Sequence, residues 1–67
     1  MKKRIVRVLL DDRTHVEVDA SQQWFAVQYF AGLWKTKSVF SDMNKAEEYR
    51  RKMETRGFLN NRIILVQ

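Results

Sequence analysis

From Arg4 to Leu10, and again from Thr14 to Asp19, apolar and polar residues alternate along the chain. This is the period of a strand with one covered face. Asp11-Asp12-Arg13 supplies turn-forming residues between the two runs, so the pair reads as a β-hairpin. A three-residue loop pairs Leu10 with Thr14, Val8 with Val16 and Val6 with Val18, and sets Arg7 across from Glu17. A two-residue loop would put valines opposite acids. The alternation therefore selects the odd loop, with Val6, Val8, Leu10, Val16 and Val18 inward and Ile5, Arg7, Leu9, His15, Glu17 and Asp19 outward.

Trp24 to Phe30 and Leu33 to Phe40 are rich in aromatic and β-branched residues, and Ala31-Gly32 between them gives a short turn whose glycine accepts a positive φ. Pairing Phe30 with Leu33 puts Phe25, Val27, Tyr29, Trp34, Thr36, Ser38 and Phe40 on one face. The other face then holds Trp24, Ala26, Gln28, Phe30, Leu33, Lys35, Lys37 and Val39. The first face is the better support for a helix, because Thr36 and Ser38 are small.

After Ser41 and Asp42, either of which caps a helix, Met43, Ala46, Tyr49, Arg50 and Met53 recur at spacings of three and four. The spacing predicts a helix over about 42–56, with Glu47–Arg51 and Glu48–Lys52 pairs. Gly57-Phe58 ends it, with Phe58 folding back on the last turn. Asn60-Asn61 is a turn and Arg62 to Val66 a closing strand. The expected architecture is α+β in the order β-β-β-β-α-β: an antiparallel sheet of four to five strands with a single helix packed on one face.

Length narrows the picture. Sixty-seven residues make a single small domain, residues 1–67, with a thin core. There is no cysteine, hence no disulfide and no thiol chemistry, and the chain suits a reducing, cytoplasmic setting. The apolar run after Met1-Lys2-Lys3-Arg4 is broken by Arg7 and stopped by Asp11-Asp12, too short for a signal peptide, and no stretch is long enough to span a membrane. Proline is absent and glycine is confined to Gly32 and Gly57, so no linker is expected.

Charge adds a direction. The net charge is +5, and Lys2, Lys3 and Arg4 begin the chain with no acid near them, a basic arm suited to phosphates. One helix covers one sheet face, yet apolar residues occur on both. Trp24, Phe30, Leu33 and Val39, with Ile5 and Leu9, are left on the far side, where Arg7, Gln28, Lys35 and Lys37 stand between them. Rings stack on bases, cations meet phosphates and an amide reads a base edge, so this mixture fits a nucleic acid. It fits a protein interface about as well, including a back-to-back homodimer.

Trp24-x-Ala26-x-Gln28-Tyr29, Gly32, Lys35-x-Lys37, Phe40 and Lys45-Ala46-Glu47 together resemble the arm-site DNA-binding domain of tyrosine integrases, over residues 24–50. The resemblance implies a sheet face lying in the DNA major groove, with contacts from Gln28, Lys35 and Lys37. The closing strand and the apolar first strand depart from that family's pattern.

Competing chemistry is bland. His15 with Glu17 and Asp19 is the polar face of one strand, and Asp11-Asp12 is a turn, so no metal, cofactor or membrane association is expected. Cations along the helix are interleaved with glutamates. No Gly-rich phosphate loop, carboxylate pair or nucleophile–base set can be assembled, and no catalysis is expected. The sequence thus predicts a non-catalytic module binding DNA or RNA through Lys2, Lys3, Arg4, Arg7, Trp24, Gln28, Phe30, Lys35 and Lys37. The alternative is a protein-binding module, a phage-type inhibitor or adaptor, docking the same face on a protein target, and in either case a homodimer is possible.

Overall fold

The computed structural model describes residues 4–66. Five antiparallel strands and one helix follow the expected order: β1 (Ile5–Leu9), β2 (His15–Asp19), β3 (Phe25–Phe30), β4 (Trp34–Phe40), α1 (Met43–Thr55) and β5 (Asn61–Leu65). The strands divide into a β1–β2 hairpin and a three-stranded sheet ordered β4-β3-β5.

The hairpin has the predicted register, Val6 across from Val18, Arg7 from Glu17 and Val8 from Val16. Its loop closes because the Asp12 carboxylate accepts from both the Thr14 amide (3.1 Å) and hydroxyl (2.6 Å). These bonds hold the Asp12 carboxyl below its usual range. They also bring Arg13 into the left-handed region at φ 70°, where an L side chain is strained.

The second hairpin corrects the expected register. Phe30 pairs with Trp34, not Leu33, through a three-residue loop in which Gly32 takes φ 82°. The ladder then slips once more: Gln28 faces Thr36 while Val27 faces Ser38, so Lys37 is an extra residue, a β-bulge. Cross-strand partners share a face. Trp34 and Thr36 therefore lie on the far side with Phe30 and Gln28, not under the helix, and Lys35 falls across from Tyr29, on the helix side. A bulge has no composition signal in this strand, so uniform alternation could not show it.

The core lies between α1 and the sheet. Val27, Ala46 and Met53 are buried, with Phe25, Tyr29, Phe40, Tyr49, Phe58 and Ile63 packed around them. Met43, expected on the helix stripe, is exposed, because it occupies the first turn, beyond the sheet's reach. Asp42 caps the helix by accepting from the Asn44 amide. At the other end the Phe58 amide donates to the Met53 carbonyl and the Gly57 amide to that of Glu54, the motif glycine permits at φ 97°. Phe58 accordingly folds back, its ring 4.8 Å from that of Tyr29. Arg50, not Arg51, takes Glu47, and adds Glu54 and the Asn61 side chain, tying helix to β5. The two carboxylates keep its guanidinium firmly charged, Glu47 being the main contributor.

Four hydrogen bonds among the described residues bind the hairpin to the sheet. The Asp11 amide donates to the Thr36 carbonyl (2.9 Å). The Asp11 carboxylate accepts from Tyr29 Oη (2.8 Å) and Lys37 Nζ (3.3 Å), which pushes the Tyr29 hydroxyl pKa up. The Trp24 indole donates to the Asp19 carbonyl (2.7 Å). Val18 on the hairpin and Ala26 on the far side of the sheet are both fully buried, so apolar burial extends beyond the helix-covered face. No helix among the described residues is long and apolar enough to cross a membrane.

Candidate ligand-binding platform

The sequence-predicted residues do not assemble as one surface. Lys2 and Lys3 lie outside the described residues. Arg4 is exposed, and Arg7 makes an exposed pair with Glu17 at 3.9 Å. The Trp24 indole N–H is spent on Asp19. Gln28 is only 8% exposed, and both ends of its amide are engaged: Nε2 donates to Thr36 Oγ1 (3.0 Å) and Oε1 accepts from Arg62 Nε (2.8 Å). It cannot read a base edge without giving those up. Lys37 is drawn by its bulge position to Asp11.

A different group forms on the far side. Register places Arg62 of β5 beside Gln28 and Trp34 beside Phe30. The Arg62 guanidinium lies 4.0 Å from the centre of the Trp34 ring, a cation over the electron-rich face of an indole. Gln28 holds the guanidinium from one side. Phe30 meets Trp34 edge to face, centroids 5.4 Å apart and planes at 72°, yet is 44% exposed. Next to this trio, Leu9, Leu10, Asp11, Arg13, Leu33, Trp34, Lys35 and Thr36 line a shallow cleft of about 290 Å³ between the hairpin loop and β4. Leu9 and Leu33 on its walls are 57% and 61% exposed. Lys35 reaches it from the edge strand although its register partner is Tyr29.

Electrostatics favour anions here. Among the described residues the acids are engaged locally: Asp11 with Tyr29 and Lys37, Asp12 with Thr14, Glu17 with Arg7, Asp19 with the Ser21 amide, Asp42 at the helix cap, Glu47 and Glu54 with Arg50, Glu48 with Lys52. Arg13, Lys35 and Arg62 have no carboxylate partner among the described residues, and all three border the platform. Sequence reasoning had Phe30 and Lys35 but missed Trp34, Arg62 and Arg13. Only the bulge and the β3–β5 pairing bring them together. His15 is exposed across from Leu9 on the hairpin's outer face.

Compared with known protein families, curated proteins and solved structures, the chain matches none.

Proposed function

We propose that this protein binds a nucleic acid through the Phe30, Trp34 and Arg62 platform, with Arg13 and Lys35 meeting phosphates, and performs no chemistry of its own. The observation that carries the reading is the Arg62 guanidinium, set over Trp34 and braced by Gln28 with no carboxylate partner among the described residues. Such a cation is fixed in place and left electrostatically unsatisfied, as an anion site requires. Arg13 supports it. An arginine occupies a left-handed position that glycine or asparagine would take with less strain, and strain kept at a cleft rim is a mark of use.

The test is a salt titration. Affinity for a mixed-sequence oligonucleotide should fall steeply with ionic strength, because each neutralised phosphate releases counterions. Replacing Arg13 and Lys35 together by alanine should lower the log–log slope by roughly two. No binding of DNA or RNA at low salt would remove this reading.

A second reading has its own observation: Leu9 and Leu33 are aliphatic, exposed and in the same cleft, and bases gain little from aliphatic neighbours. A protein target, or a second copy of this chain, would cover them together with Trp34 and Arg62, the residue types that dominate interface energies. Light scattering at micromolar concentration checks the homodimer; a clean 8.1 kDa monomer removes it.

A further inference from the structure

Resting on the nucleic-acid reading above, we infer that the platform takes a single strand in preference to a duplex, with an unpaired base stacked on the exposed Phe30 ring, beside the Arg62 guanidinium. The inference concerns which elements are free to enter a groove and which are flat.

Reading a duplex calls for a helix or a two-stranded ribbon that fits a major groove about 12 Å wide and carries polar side chains to the base edges. Three elements have the shape. The β1–β2 ribbon presents Ile5, Arg7, Leu9, His15, Glu17 and Asp19 on its outer face. Arg7, the one cation on that face among the described residues, is paired with Glu17, so these residues bring no net positive charge to the phosphates. On α1, Glu47 and Glu54 take up Arg50 and Glu48 takes Lys52; Lys45 and Arg51 stay exposed and could meet phosphates, but three glutamates interleaved with them would face the same backbone. The far face of the three-stranded sheet has Gln28 as its base-reading candidate, and Gln28 is buried with both amide ends bonded.

What remains accessible is flat, cationic and small. Phe30 is exposed and meets Trp34 through an edge contact. The Arg62 guanidinium is planar, and only the side toward Trp34 is taken up by the stack. The cleft of about 290 Å³ falls just below the range of ligand-sized pockets, which begins near 300 Å³, too small for a paired stack of bases and sufficient for one flat group. A base inside a duplex has both faces covered by its neighbours. An unpaired base can turn a face outward, and stacking on aromatic rings or guanidinium planes is how single strands are held without sequence readout. Arg13 and Lys35 at the rim then meet the backbone on either side of that base.

The experiment is fluorescence anisotropy at low salt with a labelled pyrimidine DNA strand and with the same strand annealed to its complement. The single strand should bind at least about tenfold more tightly, since one stacked base contributes of that order. Phe30→Ala should weaken single-strand binding by about tenfold and with it remove most of the preference over the duplex, whereas Phe30→Tyr, which keeps the ring, should retain both. Because Phe30 is exposed, both variants should fold, and circular dichroism verifies this. Equal or tighter binding of the duplex, or indifference to Phe30→Ala, overturns the single-strand inference while leaving nucleic-acid binding standing. Absence of binding to both forms overturns the two together.

Discussion

On the helix side of the three-stranded sheet the rings are half-buried, Tyr29 against Phe58 and Phe40 against Tyr49, packed around the buried Val27, Ala46 and Met53. On the far side, Phe30 and Trp34 form an equally close pair, but Phe30 stays in solvent and the cover over Trp34 is a charged side chain. The residue types are alike on the two sides. What separates them is the partner: an amphipathic helix excludes water, whereas Arg62 covers an indole and keeps its charge at the surface. Aromatic content alone therefore does not say which face of a small sheet is core.

The comparison breaks hardest at Met53. Truncation to alanine leaves a cavity in a core with few other residues, and should cost about 2 to 5 kcal/mol, a large share of a small domain's stability. Urea denaturation reads it directly. Asp11→Ala comes next. It deprives Tyr29 and Lys37 of a common acceptor, at a cost of about 1.5 to 3 kcal/mol, and hydrogen exchange should show the hairpin amides losing protection before those of β3. The same carboxylate gives the fold an alkaline sensitivity. Since the folded state holds the Tyr29 hydroxyl pKa above its ordinary value, its contribution is complete below the unfolded pKa and is lost as pH climbs through the folded one. Tyr29→Phe should flatten that part of the stability profile, which begins above about pH 10.

Trp34→Ala sharpens the comparison from the other side. It loses an edge-to-face contact and a cation stack but creates no sealed cavity, so about 1 to 2 kcal/mol is expected, less than for Met53→Ala. A greater loss than Met53→Ala would show that the far side is core after all. Arg13→Gly is the smallest effect and has the opposite sign. Relief of the left-handed strain should raise stability by up to about 1 kcal/mol, while nucleic-acid affinity falls by the share of one phosphate contact. A variant that is more stable and binds less well would separate the two roles of that residue; unchanged binding would take Arg13 off the site.

Much of this fold was legible in the sequence. The valine alternation and the Asp-Asp-Arg turn together select the register of the first hairpin, because a slip of one residue puts acids opposite valines. Asp42 and Gly57-Phe58 mark the helix ends by capping chemistry that depends on neighbours alone. The second hairpin was not legible to the same depth. Its strands are apolar on both faces, so a slip of one residue costs no obvious burial, and neither the three-residue loop nor the bulge at Lys37 has a local signature. Those two shifts moved Trp34 from beneath the helix to the far side of the sheet, where it is half-buried, and Lys37 to Asp11. Arg62 was out of reach for another reason: its role depends on β5 lying beside β3, a pairing between distant parts of the chain.

That pairing also bears on how the protein comes to fold. β3 is the middle strand, and one of its two neighbours, β5, is separated from it by a further strand and the whole helix. The first hairpin and the β3–β4 hairpin close over short loops and can form as soon as they are made. Val27 gains Ile63 as its neighbour only after residues 61–65 have emerged and closed a long loop, a slow step compared with local turns. During synthesis the Trp- and Phe-rich β3–β4 ribbon therefore stands with one edge unpaired until β5 arrives. Charge spread along the chain, including Lys35 and Lys37 on that very ribbon, opposes edge-to-edge association during the interval. Lys35, which borders the proposed binding cleft in the finished fold, and Lys37, which ends beside Asp11, thus share an earlier charge effect that opposes pairing of the incomplete sheet with its copies.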